Sequence, residues 1–279
     1  MFSDIGIVVL LSILVPFLIN HYIPSAHFRS SVRMILLFLG LLLVWASLGL
    51  TDAIMDLIRA SRADDGYHNT SGMEMALAMS IGDWGYVWDY SSLGNKAFHV
   101  WLGMFYWLTG CGLAGSEAFN GFVAFWANLM LIRHLASSLT LPKRAPTWLP
   151  LIVFVPSSVF WFTILYKEAI LYWGICLFFT SMMRAETLRD FLRHGLVGLL
   201  GLAVAMTLRP YLAIIWAVAI SYASVLRRGS LLQSAAAVLV LFAAFAAVQE
   251  QTSVSSSAEA LEYAEDKAAD YERHAAEEG

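Results

Sequence analysis

Eight apolar runs of about the length that crosses a membrane leave this chain few ways to fold. They cover residues 4–22, 33–51, 117–135, 147–165, 168–183, 194–208, 210–226 and 231–248. About 20 helical residues cross a hydrocarbon core of about 30 Å. With 59% hydrophobic and 14% charged residues, and a mean hydropathy of +0.67, the pattern predicts an all-α polytopic membrane protein of eight spans. Residues 5–20 lack a positive leading segment and an A-x-A cleavage site, so they read as a true span rather than a signal peptide.

Residues 97–110 form a ninth, shorter apolar run. As a helix it would extend about 21 Å at 1.5 Å per residue, and it carries Phe98, Trp101, Phe105, Tyr106 and Trp107. Amphipathic aromatics favour the membrane interface, so this run is expected to lie in the interface. Basic residues then divide cleanly. Arg29, Arg33, Arg133, Lys143, Arg144, Arg184, Arg189, Arg193, Arg227 and Arg228 all fall on one side, ten of the seventeen Lys and Arg. Cytoplasmic connectors carry that excess. The N-terminus is therefore expected outside, and the chain in a bacterial inner membrane with its active face extracytoplasmic.

The opposite face receives the 51–96 segment, Lys167-Glu168, Arg209 and an acidic tail. From Glu250 onward nine acidic residues stand against Lys267 and Arg273, a net of −7, which leaves the remainder at +3. A +3 balance offers nothing to a nucleic acid, and no such partner is expected. The domain reading is a transmembrane module over 1–248, with an extracytoplasmic loop and interfacial helix over 51–116, then an acidic extracytoplasmic tail over 249–279 that reads as truncated. Cys111 and Cys176 lack ligand spacing and read as packing residues.

The 51–96 segment is too long and too aromatic for a simple turn. Asp64-Asp65 follow a helix-like stretch over 52–62, Gly66 is expected to turn the chain, and Tyr67 and His68 come next. A carboxylate at a membrane surface can act as general base toward a hydroxyl or bind a divalent ion such as Mg or Mn. The alternative is an acidic cap on the following helix. His68 also reads as an exposed loop histidine, Glu74 as a solvated helix face, and Asp83 between Gly82 and Gly85 as turn chemistry. Asn69-Thr70-Ser71 fits a glycosylation sequon.

Two cationic positions share that face. Lys167-Glu168 can pin two helix ends by a salt bridge or offer a cation to an anionic ligand. Arg209-Pro210-Tyr211 sits between two apolar runs. Its guanidinium suits bidentate phosphate contact or a snorkelling anchor beside Tyr211. Asn120 and Asn128 read as interhelical hydrogen-bond groups. P-loop, GxGxxG, HExxH and Cys/His metal patterns are all missing from the sequence.

The order of these features resembles the membrane glycosyltransferases of the C-type superfamily (GT-C), in the bacterial branch that uses polyprenyl-phosphate sugars. The features are Asp64-Asp65-Gly66-Tyr67, Gly82-Asp83-Trp84, the aromatic helix ending at Gly110, Asn120-Gly121, a Pro156-Ser157 span ending at Lys167-Glu168, and Arg209-Pro210-Tyr211. The resemblance covers roughly residues 33–226. It implies a lipid-phosphate sugar donor at the outer surface, a glycan or lipid acceptor, Asp64 or Asp65 as base or metal ligand, and Arg209 and Lys167 at the donor phosphate. Tyr67, His68, Glu168 and Tyr211 complete the expected binding set. The family's His-Pro before the interfacial helix is absent, with Asn95-Lys96 and His99 in its place, and so are the further spans and soluble domain of many members. The expected activity is inverting glycosyl transfer. The alternative is a non-catalytic scaffold or transporter-like subunit of a polysaccharide assembly system.

Overall fold

Ser3 opens the first helix by accepting a hydrogen bond from the Gly6 amide at 3.2 Å, and α1 then runs over Asp4–Tyr22. In the computed structural model, the structure describes residues 3–25, 28–48, 63–90, 95–138, 150, 167–184 and 188–228. Among these, every regular element is helical, with no strand. After α1 come α2 (Ser30–Trp45) with a 3-10 turn over Ala46–Leu48, α3 (Ala63–Ile81), α4 (Trp84–Tyr90) and α5 (Asn95–Thr109). Then follow α6 (Leu113–Ser138), α7 (Glu168–Arg184), α8 (Leu188–Leu208) and α9 (Pro210–Arg228). The chain forms two compact units, Met1–Trp216 and Ala217–Gly279; the description below concerns the first.

Two of the described helical segments, Asp4–Tyr22 and Ser30–Leu48, are long and apolar enough to cross a membrane. The expected runs at 147–165 and 231–248, and the acidic tail, lie outside the described residues. α1 and α2 leave large apolar side chains uncovered: Phe17 is 66% exposed and Phe38 is 66% exposed. Only 28% of the α1 window and 39% of the α2 window are buried, whereas a soluble core helix hides most of its surface.

Hydrogen bonds fix the directions of the helices. Asp4 accepts from the Gly112 amide at the start of α6, and Arg133 near the other end of α6 donates to the His21 carbonyl at 3.2 Å. α1 and α6 are therefore parallel. α2 returns antiparallel, with Arg33 on Asn20 and Trp45 Nε1 donating to Ser12 Oγ at 2.8 Å. α7 runs parallel to α6: Ala169 packs on Ala124, Tyr172 donates to Asn128 at 2.8 Å, and Cys176 packs among Ala127 and Met130. α7 and α8 approach closely at Gly174 and Gly201, where a β-carbon on either would strike the other's backbone, the small-residue contact that lets helices pack without a water-driven core.

The segment expected as a loop is largely helical. Gly66, expected to turn the chain, lies inside α3, and Asp64 and Asp65 lie in its first turn. Gly82 does turn the chain, at φ +78°, and Asp83 Oδ1 accepts from the Tyr86 amide at 3.1 Å to cap α4. Asn69, read as a sequon, sits within α3 and accepts from Tyr106 Oη at 2.8 Å, so its amide serves packing.

Candidate functional site

The closest crossing in the first unit sets up one half of the site. A β-carbon on Gly103 of α5 would collide with Met75 and come within 3.1 Å of the Gly72 carbonyl on α3. That contact brings α3 and α5 together along one face. One side of the crossing holds His68, whose Nδ1 lies 2.8 Å from His99 Nε2. His99 Nδ1 in turn lies 2.6 Å from Tyr90 Oη, supplied by the last residue of α4. Tyr67 stands edge-on to the His99 ring with centroids 5.1 Å apart, and Phe98 stands edge-on to His68 at the same separation.

Burial decides the charge state of this group. His99 is fully buried and His68 nearly so. Burial, with His68 and the positive charge of Lys167 adding to it, lowers His99 from 6.5 to about 4. Burial, reinforced by Tyr67, raises the Tyr90 phenol to about 12, against a hydrogen bond to Ser71 that acts the other way. At neutral pH His99 is thus uncharged, so one ring nitrogen donates while the other accepts. A neutral tautomer of His99 satisfies the Tyr90–His99–His68 chain in either sense.

The other half comes from the start of α7 and the break between α8 and α9. Glu168 and Arg209 form an ion pair, both about one-third exposed. Arg209 Nη1 also donates to Tyr211 Oη at 2.9 Å, and Lys167 donates to Asn95 at the start of α5. Arg209 holds the corner with helical hydrogen bonds on both sides, its amide to Ala205 and its carbonyl to Ala213, each 3.0 Å. Burial, then the charge of Arg209, lowers the Lys167 ammonium, with Glu168 opposing. Both cations are partly desolvated, and one carboxylate stands between two positive charges. The net excess is one positive charge, which suits an anionic ligand.

Between the halves, α5, α6 and the first turn of α7 enclose an apolar cavity of about 150 Å³, lined in part by Phe98, Trp101, Phe105, Phe119 and Ile170. Asn120 and Ser116 supply its polar atoms. Drug-sized ligands occupy about 300–1,000 Å³, so this cavity suits a short apolar segment rather than a whole ligand.

Several sequence expectations meet here. Glu168, Arg209 and Tyr211 converge, and Lys167 reaches Asn95, four residues before His99 on α5. The salt bridge expected at Lys167-Glu168 takes another form, with Glu168 paired to Arg209. His68 is not an exposed loop histidine but a buried helical one. The side chains of Asp64 and Asp65 are outside what the structure describes; their backbone places them three and four residues before His68, one turn away on α3. No group of three or more His, Cys, Asp or Glu suited to a metal occurs among the described residues.

Because Ala169 packs on Ala124, about eleven residues into α6, Glu168 lies about 15 Å along α6 from the Asp4–Gly112 contact. Tyr90 escaped the sequence reading, and Asn95 and His99 entered it only as residues standing where the resembled family has His-Pro. Only a histidine within an apolar aromatic run pointed to His99, and its partners come from residues 9 and 31 positions away. No protein-family model, curated protein or solved structure matches this chain.

Proposed function

We propose that the chain is a polytopic inner-membrane protein whose site transfers a sugar from a polyprenyl-phosphate donor to an extracytoplasmic glycan or lipid acceptor. The observation that supports it is the meeting of Lys167 and the Glu168–Arg209 pair beside an aromatic cavity. Such a site offers cations to a lipid-linked phosphate and an apolar recess to the first part of its chain. In this reading Arg209 and Lys167 neutralise charge building on the departing phosphate, and Glu168 and Tyr211 hold the guanidinium in place. Asp64 or Asp65 deprotonates the acceptor hydroxyl, with a divalent ion such as Mg or Mn as a further aid. The exposed apolar faces of α1 and α2 support the membrane reading.

A second reading gains from the partial burial of the cluster between helices. Ionisable groups held between helices also mark transporter sites, and a transporter-like subunit would use the same cations to bind its cargo. The experiment that separates the two uses purified full-length protein in liposomes with labelled polyprenyl-phosphate sugar. Glycosyl transfer that disappears in both Asp65→Ala and Arg209→Ala, with folding intact, supports the enzyme. Full transfer in both variants removes this site assignment. Label crossing the bilayer without a new glycosidic bond favours transport.

A further inference from the structure

Helix α5 meets both cation-bearing elements of the site within its first two turns. Asn95, its first residue, accepts a hydrogen bond from Lys167 just before α7. Six residues on, Trp101 Nε1 donates at 3.4 Å to Thr207 Oγ1 of α8, two residues before Arg209. The two contacts lie about 9 Å apart along α5, so the Lys167 ammonium and the Arg209 corner flank the same stretch of that helix.

The start of α5 is itself held from the other side. Lys96 places its ammonium 5.7 Å from the centre of the Tyr90 ring, and Tyr90 in turn bonds His99. Ala97, Phe98 and His99 are buried, whereas Asn95 is exposed. A fixed backbone thus presents the Asn95 amide at the edge of the cluster, where a ligand can reach the ammonium it holds.

The two cations are held differently. Arg209 pairs with a carboxylate, Glu168, which cancels its charge. Among the described residues no carboxylate pairs with Lys167, whose bonded partner is a neutral amide. An ammonium on a four-carbon stem is mobile unless something fixes it. A carboxylate would fix it and remove its charge, while an amide oxygen fixes it and leaves the charge in place. An ammonium carries three donors, so the bond to Asn95 does not exhaust it.

We propose that Asn95 is the positioning residue of the anion site. Its amide oxygen holds the Lys167 ammonium toward the phosphate of a lipid-linked ligand and leaves the uncompensated charge of the site on that ammonium. The inference rests on the anion-binding part of the reading above and not on glycosyl transfer.

The test is titration of the purified full chain in detergent with farnesyl phosphate, and with farnesol as its uncharged counterpart, followed by intrinsic tryptophan fluorescence. Wild type is expected to bind farnesyl phosphate more tightly than farnesol, and Lys167→Ala to lose that preference. Asn95→Ala should weaken farnesyl phosphate about 10-fold, the scale of one charge-assisted hydrogen bond, with farnesol unchanged. Asn95→Gln, a neutral acceptor on a longer stem, should recover part of the loss. Asn95→Asp keeps the size and the bond to Lys167 but adds a negative charge, and should bind farnesyl phosphate at least as weakly as Asn95→Ala. A purely structural role predicts the reverse order, with the isosteric Asn95→Asp near wild type. That result overturns the proposal, as does equal loss of farnesol in Asn95→Ala. Asn95→Ala joined to Lys167→Ala should be no weaker than Lys167→Ala alone, and additive losses also overturn it. A wild type that does not distinguish the two ligands fails the anion site and this proposal together. A preference lost in Lys167→Ala but kept in all three Asn95 variants fails the role of Asn95 alone.

Discussion

His68 Nδ1 and His99 Nε2 face each other at 2.8 Å across the α3–α5 crossing, 31 residues apart in the chain. The pair is buried, and its second link runs from His99 to Tyr90 at 2.6 Å. Tyr67 and Lys167 also act on His99. Because the pair lies beside the cationic cluster, its protonation bears on both stability and any proton transfer in the site.

Stability should fall as pH is lowered. Unfolded, His99 takes up a proton near 6.5; folded, only near 4. Between those values the unfolded chain binds more protons, so the His99 contribution is complete above about 6.5 and shrinks toward 4. Thermal unfolding in detergent between about pH 7 and about pH 5 should show a falling Tm. His99→Gln should flatten that slope. An unchanged slope in the variant would assign the effect to other groups.

Removing His99 should cost more than removing an exposed histidine. His99→Ala takes one hydrogen-bond partner from His68 and one from Tyr90 while opening space in a closed crossing. The expected loss is about 1–3 kcal/mol, read from denaturant or thermal unfolding. His194→Ala, on the partly exposed stretch of α8, should stay within about 0.5 kcal/mol.

Two glycines on the α3–α5 pair should respond in opposite ways. Gly103→Ala drives a methyl into Met75 and should destabilise by about 1–3 kcal/mol. Gly66→Ala has open space around it within α3 and should be neutral, or stabilising by up to about 1 kcal/mol, because alanine favours the helix. Comparing the two Tm values checks that the crossing, rather than glycine loss itself, is what matters.

Glu168 should restrain anion binding. It neutralises one of two neighbouring positive charges, so Glu168→Gln should tighten retention of a polyprenyl-phosphate donor about 2–5-fold. Arg209→Ala should weaken it about 10-fold or more. Donor titration by fluorescence or filter binding reads both. Weaker binding in Glu168→Gln would show instead that the carboxylate positions Arg209 for the ligand.

Much of the helical layout is legible from residue order. α1 matches the first apolar run residue for residue, and the runs behind α6, α7, α8 and α9 shift by a few residues at their ends. Turn chemistry at Gly82-Asp83 and the roles of Asn128, Cys111 and Cys176 as packing groups follow from local rules and hold. The helical character of residues 63–90 was harder to see, because its apolar positions face α5 rather than forming a span-like run.

Apolar periodicity determined most of the helical segments, since it depends on short-range sequence alone. Only the tertiary structure decided that Glu168 pairs with Arg209 across 41 residues, and that His99 meets His68 and Tyr90. Those contacts depend on the offset between helices that are distant in sequence. That offset is set by close approaches such as Gly103 on α3 and Ala169 on Ala124, and no local pattern records how far one helix slides along another.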